Sequence, residues 1–356
     1  MPVDKYLSED LENIAESSLP FEELYGSAVL VTGATGLVGS QAVKALLTMN
    51  RLKNAGIKVL AMVRSEEKAR RTYEGFESED LSFLVQDVTE PIDASVSADY
   101  IIHTASPTSS KFFVEKPVET IKMAVDGTDN ILSFAARTKA KGVVYLSSME
   151  VYGVTDPGLS CVRESDLGYI DILNVRSSYS EGKRICECLC ASYAKEYGVP
   201  VRIARLAQTF GAGIPYEENR VFAQFAKSAI NKTDIVLHTE GNSVGNYCYT
   251  RDVIKAVLLL LIRGEAGEAY TVTNEESNTT IKGMAQMVAD RIAGGGIKVV
   301  FDIPKDALTY GYAPDVKMQL NADKLRSLGW EPEIGLCETY ERMIGSMLAT
   351  KEERNA

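Results

Sequence analysis

Tyr179 and Lys183 stand four positions apart, in Tyr179-Ser180-Glu181-Gly182-Lys183. On a helix that spacing puts both side chains on one face. An ammonium held beside a phenol lowers the phenol's pKa, which would fit Tyr179 to act as general acid or base on a hydroxyl or carbonyl oxygen near neutral pH. Lys183 is also placed to hold the ribose of a nicotinamide nucleotide. Ser147-Ser148 follows the apolar run Val143–Leu146, and the Ser148 hydroxyl can orient the same reacting oxygen. A YxxxK spacing is common by chance, and alone it would read as an amphipathic surface pair. It gains meaning from a second motif near the N-terminus.

That motif is Thr32-Gly33-Ala34-Thr35-Gly36-Leu37-Val38-Gly39, between the apolar run Ala28–Val31 and a helical pattern. A strand–glycine turn–helix unit is the setting of a dinucleotide fingerprint. Gly33 permits the tight turn, Gly36 lets a pyrophosphate approach the backbone, and Gly39 lets the helix pack on the strand. The helix start then offers free N–H groups and positive dipole to phosphate, so Gly33, Thr35, Gly36, Leu37, Val38 and Gly39 are the expected cradle. The next strand ends in Arg64-Ser65, where an acidic residue would hold the ribose hydroxyls of NAD. Arginine and serine there favour the 2′-phosphate of NADP(H), with NAD(H) left open and Arg64 stacking on adenine as the alternative role. Asp87 and Val88, after the third strand, are expected near the adenine edge.

The elements that must position these groups are legible in outline. Apolar runs at Val59–Val63, Leu81–Val85, Tyr100–Ile102, Val143–Leu146 and Val201–Ala204 alternate with helical patterns at Glu66–Glu74, Val118–Arg137 and Tyr179–Tyr197. Such alternation predicts an α/β fold, a doubly wound parallel Rossmann sheet covered by helices on both faces. Residues 1–26 read as an acidic helical extension, closed by Pro20 and Gly26. Residues 27–205 form the predicted dinucleotide-binding domain, and 206–350 mainly a smaller substrate-binding domain whose chain can re-enter the sheet. The charged tail Lys351–Ala356 is expected to fray.

With 356 residues and 45% hydrophobic content the chain has ample material for a core. Its net charge of −11 repels nucleic acid and anionic membranes, but a local cradle of N–H groups can still hold an anionic small molecule. The longest apolar run, Ala256–Ile262, is far below the roughly 18 residues a span requires, and the acidic N-terminus lacks signal-peptide order. A cytoplasmic protein is expected. Cys186, Cys188 and Cys190 resemble a metal cluster only superficially, because a two-residue step on a helix separates neighbours onto different faces. Small buried thiols are expected instead, and with His103 and His238 as the only histidines no metal site is predicted.

Together the motifs VTGATGLVG, HTASP (His103–Pro107), VDGTDNIL (Val125–Leu132), LSSMEVYG, SSYSEGKRICE, RLAQTFGAGI (Arg205–Ile214) and LGWEP (Leu328–Pro332) resemble the extended short-chain dehydrogenase/reductases. Within these, the nucleotide-sugar epimerase/dehydratase/decarboxylase group is the nearest in look, and SYSEGKR, EVYG and RLAQTFG look closest to UDP-glucuronate decarboxylases. The resemblance covers most of residues 27–345. It implies a Rossmann fold, a bound nicotinamide cofactor, Ser148–Tyr179–Lys183 as the catalytic triad and commonly a homodimer. It also implies a nucleotide-activated sugar held by the smaller domain. Thr104, Ala105 and Ser106 are expected on the cofactor, and Ser106, Ser148, Met149, Gln208, Arg220, Val221, Phe222 and Lys317 around the sugar nucleotide.

The sequence also departs from the family's pattern. Met149-Glu150 replaces the Asp-Glu of the related dehydratases, and methionine cannot donate a proton. Gly245 stands where epimerases and decarboxylases usually carry an arginine, and Met318, beside Lys317, where a second phosphate-binding arginine is expected. Neither residue can hold phosphate or carboxylate bidentately. Arg220, Lys317 and Arg251 are the candidate replacements, each equally readable as solvated surface charge. Gln208 lengthens the family's substrate-contacting asparagine. Glu150 is either a proton carrier or a strand-end carboxylate paired to a cation. On these grounds keto reduction of a nucleotide-linked sugar by NADPH, such as a ketose to a polyol, is the first expectation. An epimerase or decarboxylase that keeps its NAD is the second, and a catalytically silent nucleotide-binding regulator the third.

Overall fold

The computed structural model describes residues 4–303 and 317–355, with side chains through residue 350. The strands in chain order are β1 (Ala28–Thr32), β2 (Lys58–Val63), β3 (Leu81–Val85), β4 (Tyr100–His103), β5 (Gly142–Ser148) and β6 (Val201–Leu206). They are followed by β7 (Gln208–Phe210), β8 (Ile235–Leu237), β9 (Val244–Tyr249), β10 (Ala269–Val272), β11 (Asn274–Thr280) and β12 (Val299–Phe301). The helices are α1 (Lys5–Ala15), α2 (Leu37–Lys53), α3 (Glu66–Thr72), α4 (Ser110–Glu115), α5 (Pro117–Thr138) and α6 (Ser178–Tyr197). Later come α7 (Val221–Asn231), α8 (Thr250–Arg263), α9 (Ile281–Met287), α10 (Asp323–Arg326) and α11 (Leu336–Asn355).

The main sheet has seven parallel strands in the order β10-β6-β5-β4-β1-β2-β3. Strand order reverses between β1 and β4, so their carboxyl ends open the crevice where this class of fold binds ligands. Val29, Leu30 and Val31 are all fully buried, as a strand covered on both faces requires. Alternation sorts them: Val29 and Val31 join the core under α2 and α8, Leu30 the core under α5 and α6. The long run Ala256–Leu261 in α8 is buried against the sheet, and the chain then re-enters it as β10.

Helix α6 buries Lys183, Cys186, Glu187 and Cys190 at helical spacing and leaves Cys188 exposed, as the two-residue step predicts. Gly198 ends it in the left-handed region (φ 68°). Pro117 opens α5 at its first turn. A third core, around Phe210, Phe222, Tyr247 and Tyr340, lies in the later part of the chain. The acidic lead carries α1, and its Leu7, Leu11 and Ile14 are buried in the main core. The tail expected to fray instead continues α11 to Asn355; the last residue, Ala356, lies outside the described residues. No helix among the described residues is long and apolar enough to cross a membrane.

Candidate active site

The crevice begins where β1 ends. Gly33 turns the chain at φ 62°, and a Cβ there would lie 2.8 Å from the Ala105 amide nitrogen. A Cβ on Gly39 would lie 2.5 Å from the Gly33 carbonyl oxygen, so both positions require glycine. Thr104 braces the turn by donating its hydroxyl to the Thr32 carbonyl (2.7 Å), and the Thr32 hydroxyl accepts from the Ala105 amide (3.2 Å). Tyr73 donates its hydroxyl to the Ala34 carbonyl. His103 lies 2.7 Å from the Thr32 hydroxyl, and burial lowers its pKa to about 3, so it stays neutral. Helix α2 starts at Gly36 without a side-chain cap. Its first-turn N–H groups, at Leu37, Val38 and Gly39, therefore face the crevice as anion donors. That uncapped end and the glycine-only turn fit the pyrophosphate of a nicotinamide dinucleotide.

On the adenosine side Arg64 is exposed at the end of β2. Ser65 is committed as the cap of α3, accepting from the Lys68 amide (3.2 Å). Asp87 accepts from the amide (3.0 Å) and hydroxyl (2.7 Å) of Thr89, which hold its carboxyl below the usual range. Arg64 adds to that lowering, so Arg64 stands near a carboxylate. Val88 is buried beside Gly127, and Asn130 fixes its carbonyl (2.8 Å).

The chemistry-bearing side chains meet at the ends of β5 and α6. Ser148 is the last residue of β5, and its hydroxyl accepts from the Glu150 amide (3.2 Å). Tyr179 enters from the first turn of α6, its ring stacked on Phe113 at 4.3 Å and 10°. Lys183, one turn on, donates to the Leu146 carbonyl (2.7 Å), its ammonium 4.7 Å from the Tyr145 ring and 5.8 Å from the Tyr179 ring. Burial lowers the Lys183 pKa to about 8. The Tyr179 hydroxyl differs from expectation. Burial first, and the Glu150 charge second, push it up to about 12. Hydrogen bonding from Ser148 and the charges of Arg176 and Arg220 oppose that rise, and these arginines, not Lys183, are its leading cationic partners.

Glu150 is a paired carboxylate. Both its oxygens receive the Arg176 guanidinium (2.9 and 3.1 Å), and Ser180 donates to one of them (3.0 Å). Behind this layer Arg205 grips Glu187 with its fork (2.7–3.2 Å), and Ser147 donates to Glu187 (2.5 Å).

The residues expected around a sugar nucleotide divide. Met149 is partly buried, Gln208 and Val221 are exposed, and Ser106 bonds the Pro107 carbonyl (3.3 Å). Arg220 is close enough to act on Tyr179, though Glu218 holds it (2.7 Å). Phe222 is a core residue, stacked on Phe210 at 4.3 Å, because α7 turns its apolar face inward. Arg251 is excluded as a replacement clamp. It is 7% exposed and bound to Glu333 (2.9 Å) and Asp10 (3.6 Å). Met318 is buried with Leu320 and Val162, while Lys317 is exposed and its backbone pairs with Val244. A Cβ on Gly245 would meet nothing within 4 Å, so the place of the missing arginine is open space.

The NAD dependent epimerase/dehydratase family pattern matches residues 29–274. The chain belongs to this family. UDP-glucuronic acid decarboxylase 6 of Arabidopsis thaliana is 32% identical over 87% of this chain and 85% of its own. UDP-glucuronic acid decarboxylase 1 of Danio rerio is 28% identical over 96% of this chain and 80% of its own. Among solved structures, UDP-glucose 4-epimerase from Thermotoga maritima superposes with a TM-score of 0.76 at 22% identity, covering 91% of this chain and 99% of that one. It shows the same fold. The protein is therefore an enzyme of the extended short-chain dehydrogenase/reductase type, in an NAD-dependent family.

For an epimerase/dehydratase family enzyme, three neighbours of the site escaped sequence reading. Arg176, three residues before Tyr179, was signalled only by proximity to the motif. Phe113 lies in a loop-borne helix whose aromatic pair Phe112-Phe113 follows HTASP. Tyr145 looked like one more apolar strand residue, yet its ring lies under the Lys183 ammonium.

Proposed function

We propose that this enzyme oxidises a nucleotide-linked sugar and re-reduces it on a retained NAD, with decarboxylation or epimerisation in between. The observation that carries the reading is the joining of Ser148, Tyr179 and Lys183 with the carboxylate of Glu150 beside an uncapped glycine turn. A bound nicotinamide supplies a positively charged hydride acceptor and, once reduced, the hydride donor. Tyr179 takes the hydroxyl proton as the carbinol becomes a carbonyl, and returns it when the carbonyl is reduced. Ser148 orients that oxygen, and Lys183 keeps positive charge next to the phenol. The new carbonyl acidifies the neighbouring C–H bond, or lets a carboxylate two carbons away leave as carbon dioxide. Glu150, held by Arg176 and Ser180, keeps a carboxylate charge beside the phenol.

The two relatives above, both named as UDP-glucuronic acid decarboxylases, favour this cycle over net keto reduction by NADPH. So does Asp87, whose charge near Arg64 opposes a 2′-phosphate. Open space at Gly245 speaks for the keto-reductase reading, since it removes a carboxylate clamp.

The test is to denature purified protein and identify the released nucleotide, then incubate fresh enzyme with UDP-glucuronate. Released NAD, with carbon dioxide or an epimer formed and no lasting change at the nicotinamide absorbance band, is the expected result. Stoichiometric loss of added NADPH would overturn it. No turnover of any nucleotide sugar would leave the silent-regulator reading standing.

We also propose a homodimer. Val118 (61% exposed) and Ile121 (43%) on α5, and Ile185 (49%) on α6, which packs against α5, are exposed apolar side chains that a second copy would cover. Ile121→Asp with Ile185→Asp is expected to halve the sedimenting mass while NAD stays bound; an unchanged mass rejects this face.

A further inference from the structure

The active site holds an ion pair that the triad does not use. Glu150, just past β5, and Arg176, at the mouth of α6, are bridged through both guanidinium arms (2.9 and 3.1 Å). The pair is only partly solvated, with side chains 29% and 32% exposed. Arg176 also lies over the Phe113 ring (5.2 Å), and that ring stacks on Tyr179. Ser180, the residue after Tyr179, donates to the same Glu150 oxygen that the nearer guanidinium arm holds. Two side chains, Arg176 ahead of α6 and Ser180 within it, therefore converge on one carboxylate next to the phenol. A bidentate arginine fixes a carboxylate's direction as well as its charge.

We propose that Arg176 is a positioning residue that holds Glu150 in place and offsets its negative charge at the Tyr179 hydroxyl. The assignment rests on the reading that Tyr179 exchanges a proton with a sugar hydroxyl. The titratable and charged groups facing the phenol are Glu150 beyond β5, Tyr145 within β5, Arg176 ahead of α6, Lys183 on α6 itself and Arg220 at the start of α7. Glu150 raises the phenol's pKa, and Arg176 and Arg220 lower it. Arg220 is itself held by Glu218 (2.7 Å). Arg176 thus has two effects of one sign: it lowers the phenol directly and compensates the group that raises it.

In the oxidation direction Tyr179 must be ionised, so activity rises with pH through its pKa in the NAD-loaded enzyme, which a bound nicotinamide's positive charge would bring down from the value that burial sets. Loss of Arg176 moves that limb to higher pH. Loss of the Glu150 charge moves it to lower pH.

The experiment is the pH dependence of kcat/KM for nucleotide-sugar oxidation by the NAD-loaded enzyme and three variants. Arg176→Gln is expected to move the acid limb up by about one pH unit, the size of effect a charge at this range produces. Arg176→Lys keeps the charge and is expected to leave the limb near its original place, with kcat lowered by the lost fork. Glu150→Gln is expected to move the limb down, and it carries the test if Arg176→Gln does not fold. A limb unmoved in both Arg176→Gln and Glu150→Gln, or shifted equally by Arg176→Lys and Arg176→Gln, overturns the assignment. An unaltered enzyme without turnover would remove the underlying reading instead, so the two failures are distinct.

Discussion

Tyr179→Phe is expected to lower turnover by about 10²–10⁴-fold, the range for losing one positioned acid–base group, while NAD remains bound. The substitution removes one oxygen and keeps the ring, so the stack on Phe113 at 4.3 Å is preserved. Among the described residues, the two neighbouring phenols of β5 and the turn after it are not free to take over. The Tyr145 hydroxyl is buried, and Tyr152 bonds Thr271 (2.5 Å). Ser148 can orient an oxygen but is far too weak an acid to replace a phenol. Burial and the Glu150 charge push the Tyr179 hydroxyl up to about 12, so positive charge at the site is a condition of its acting as a base near neutrality. Lys183, its ammonium 5.8 Å from the Tyr179 ring, sets an upper limit. Burial has lowered its pKa to about 8, so the ammonium is charged below that pH and is lost as pH rises through it. Turnover of the unaltered enzyme should therefore decline on the alkaline side from about pH 8. The check is single-turnover kinetics with the amount of bound NAD measured in parallel. Turnover within a few-fold of the unaltered enzyme would remove Tyr179 from the chemistry.

The parts of this site that are local in sequence were legible. Gly33 to Gly39 is one turn and one helix start, and Tyr179 and Lys183 are one helical turn apart, so backbone geometry alone places them. The parallel sheet was legible because each strand is a short apolar run. Whatever depends on distant partners was not. Glu150 finds Arg176 across a 26-residue separation, and the sequence allows Glu150 a cation partner without saying which. The rise of the Tyr179 pKa is a burial effect, and the YxxxK spacing contains no measure of burial. Arg251 read equally well as free charge or substrate clamp until Asp10 and Glu333 were seen around it. The family resemblance puts Phe222 at the ligand, but α7 turns that ring into the core. The seventh strand, β10, was foreseen only as a return to the sheet, since a four-residue run has little periodicity of its own.

The acidic segment before β1 supports the second large effect. Asp10 of α1 is 1% exposed, and its carboxylate receives the Tyr249 hydroxyl (2.5 Å) and the Arg342 guanidinium (2.8 Å), with Arg251 at 3.6 Å. Arg342 also donates to Tyr249 (3.1 Å) and to the Tyr6 carbonyl (3.3 Å). One cluster thus ties α1, the end of β9 and α11 together, and α1 in turn packs on α2, whose first turn faces the crevice. Arg342→Met keeps most of the side-chain volume and removes the charge. Breaking a buried pair leaves its partner desolvated and uncompensated, so unfolding free energy should fall by about 3–5 kcal/mol at neutral pH. Burial already raises the Asp10 pKa above 3.8, against the opposing pull of Tyr249 and the two arginines, and losing Arg342 raises it further. A carboxyl whose folded pKa is raised contributes stability when protonated and loses that contribution as pH rises from 3.8 through the folded value. The deficit of the variant should accordingly shrink as pH is lowered toward the ordinary carboxylate range. Denaturant midpoints at neutral and mildly acidic pH measure both effects, with removal of the exposed Lys58–Asp80 bridge as a comparison expected to leave the midpoint in place. A deficit that is small, or that grows on acidification, would mean that Asp10 is not held as a buried carboxylate by Arg342.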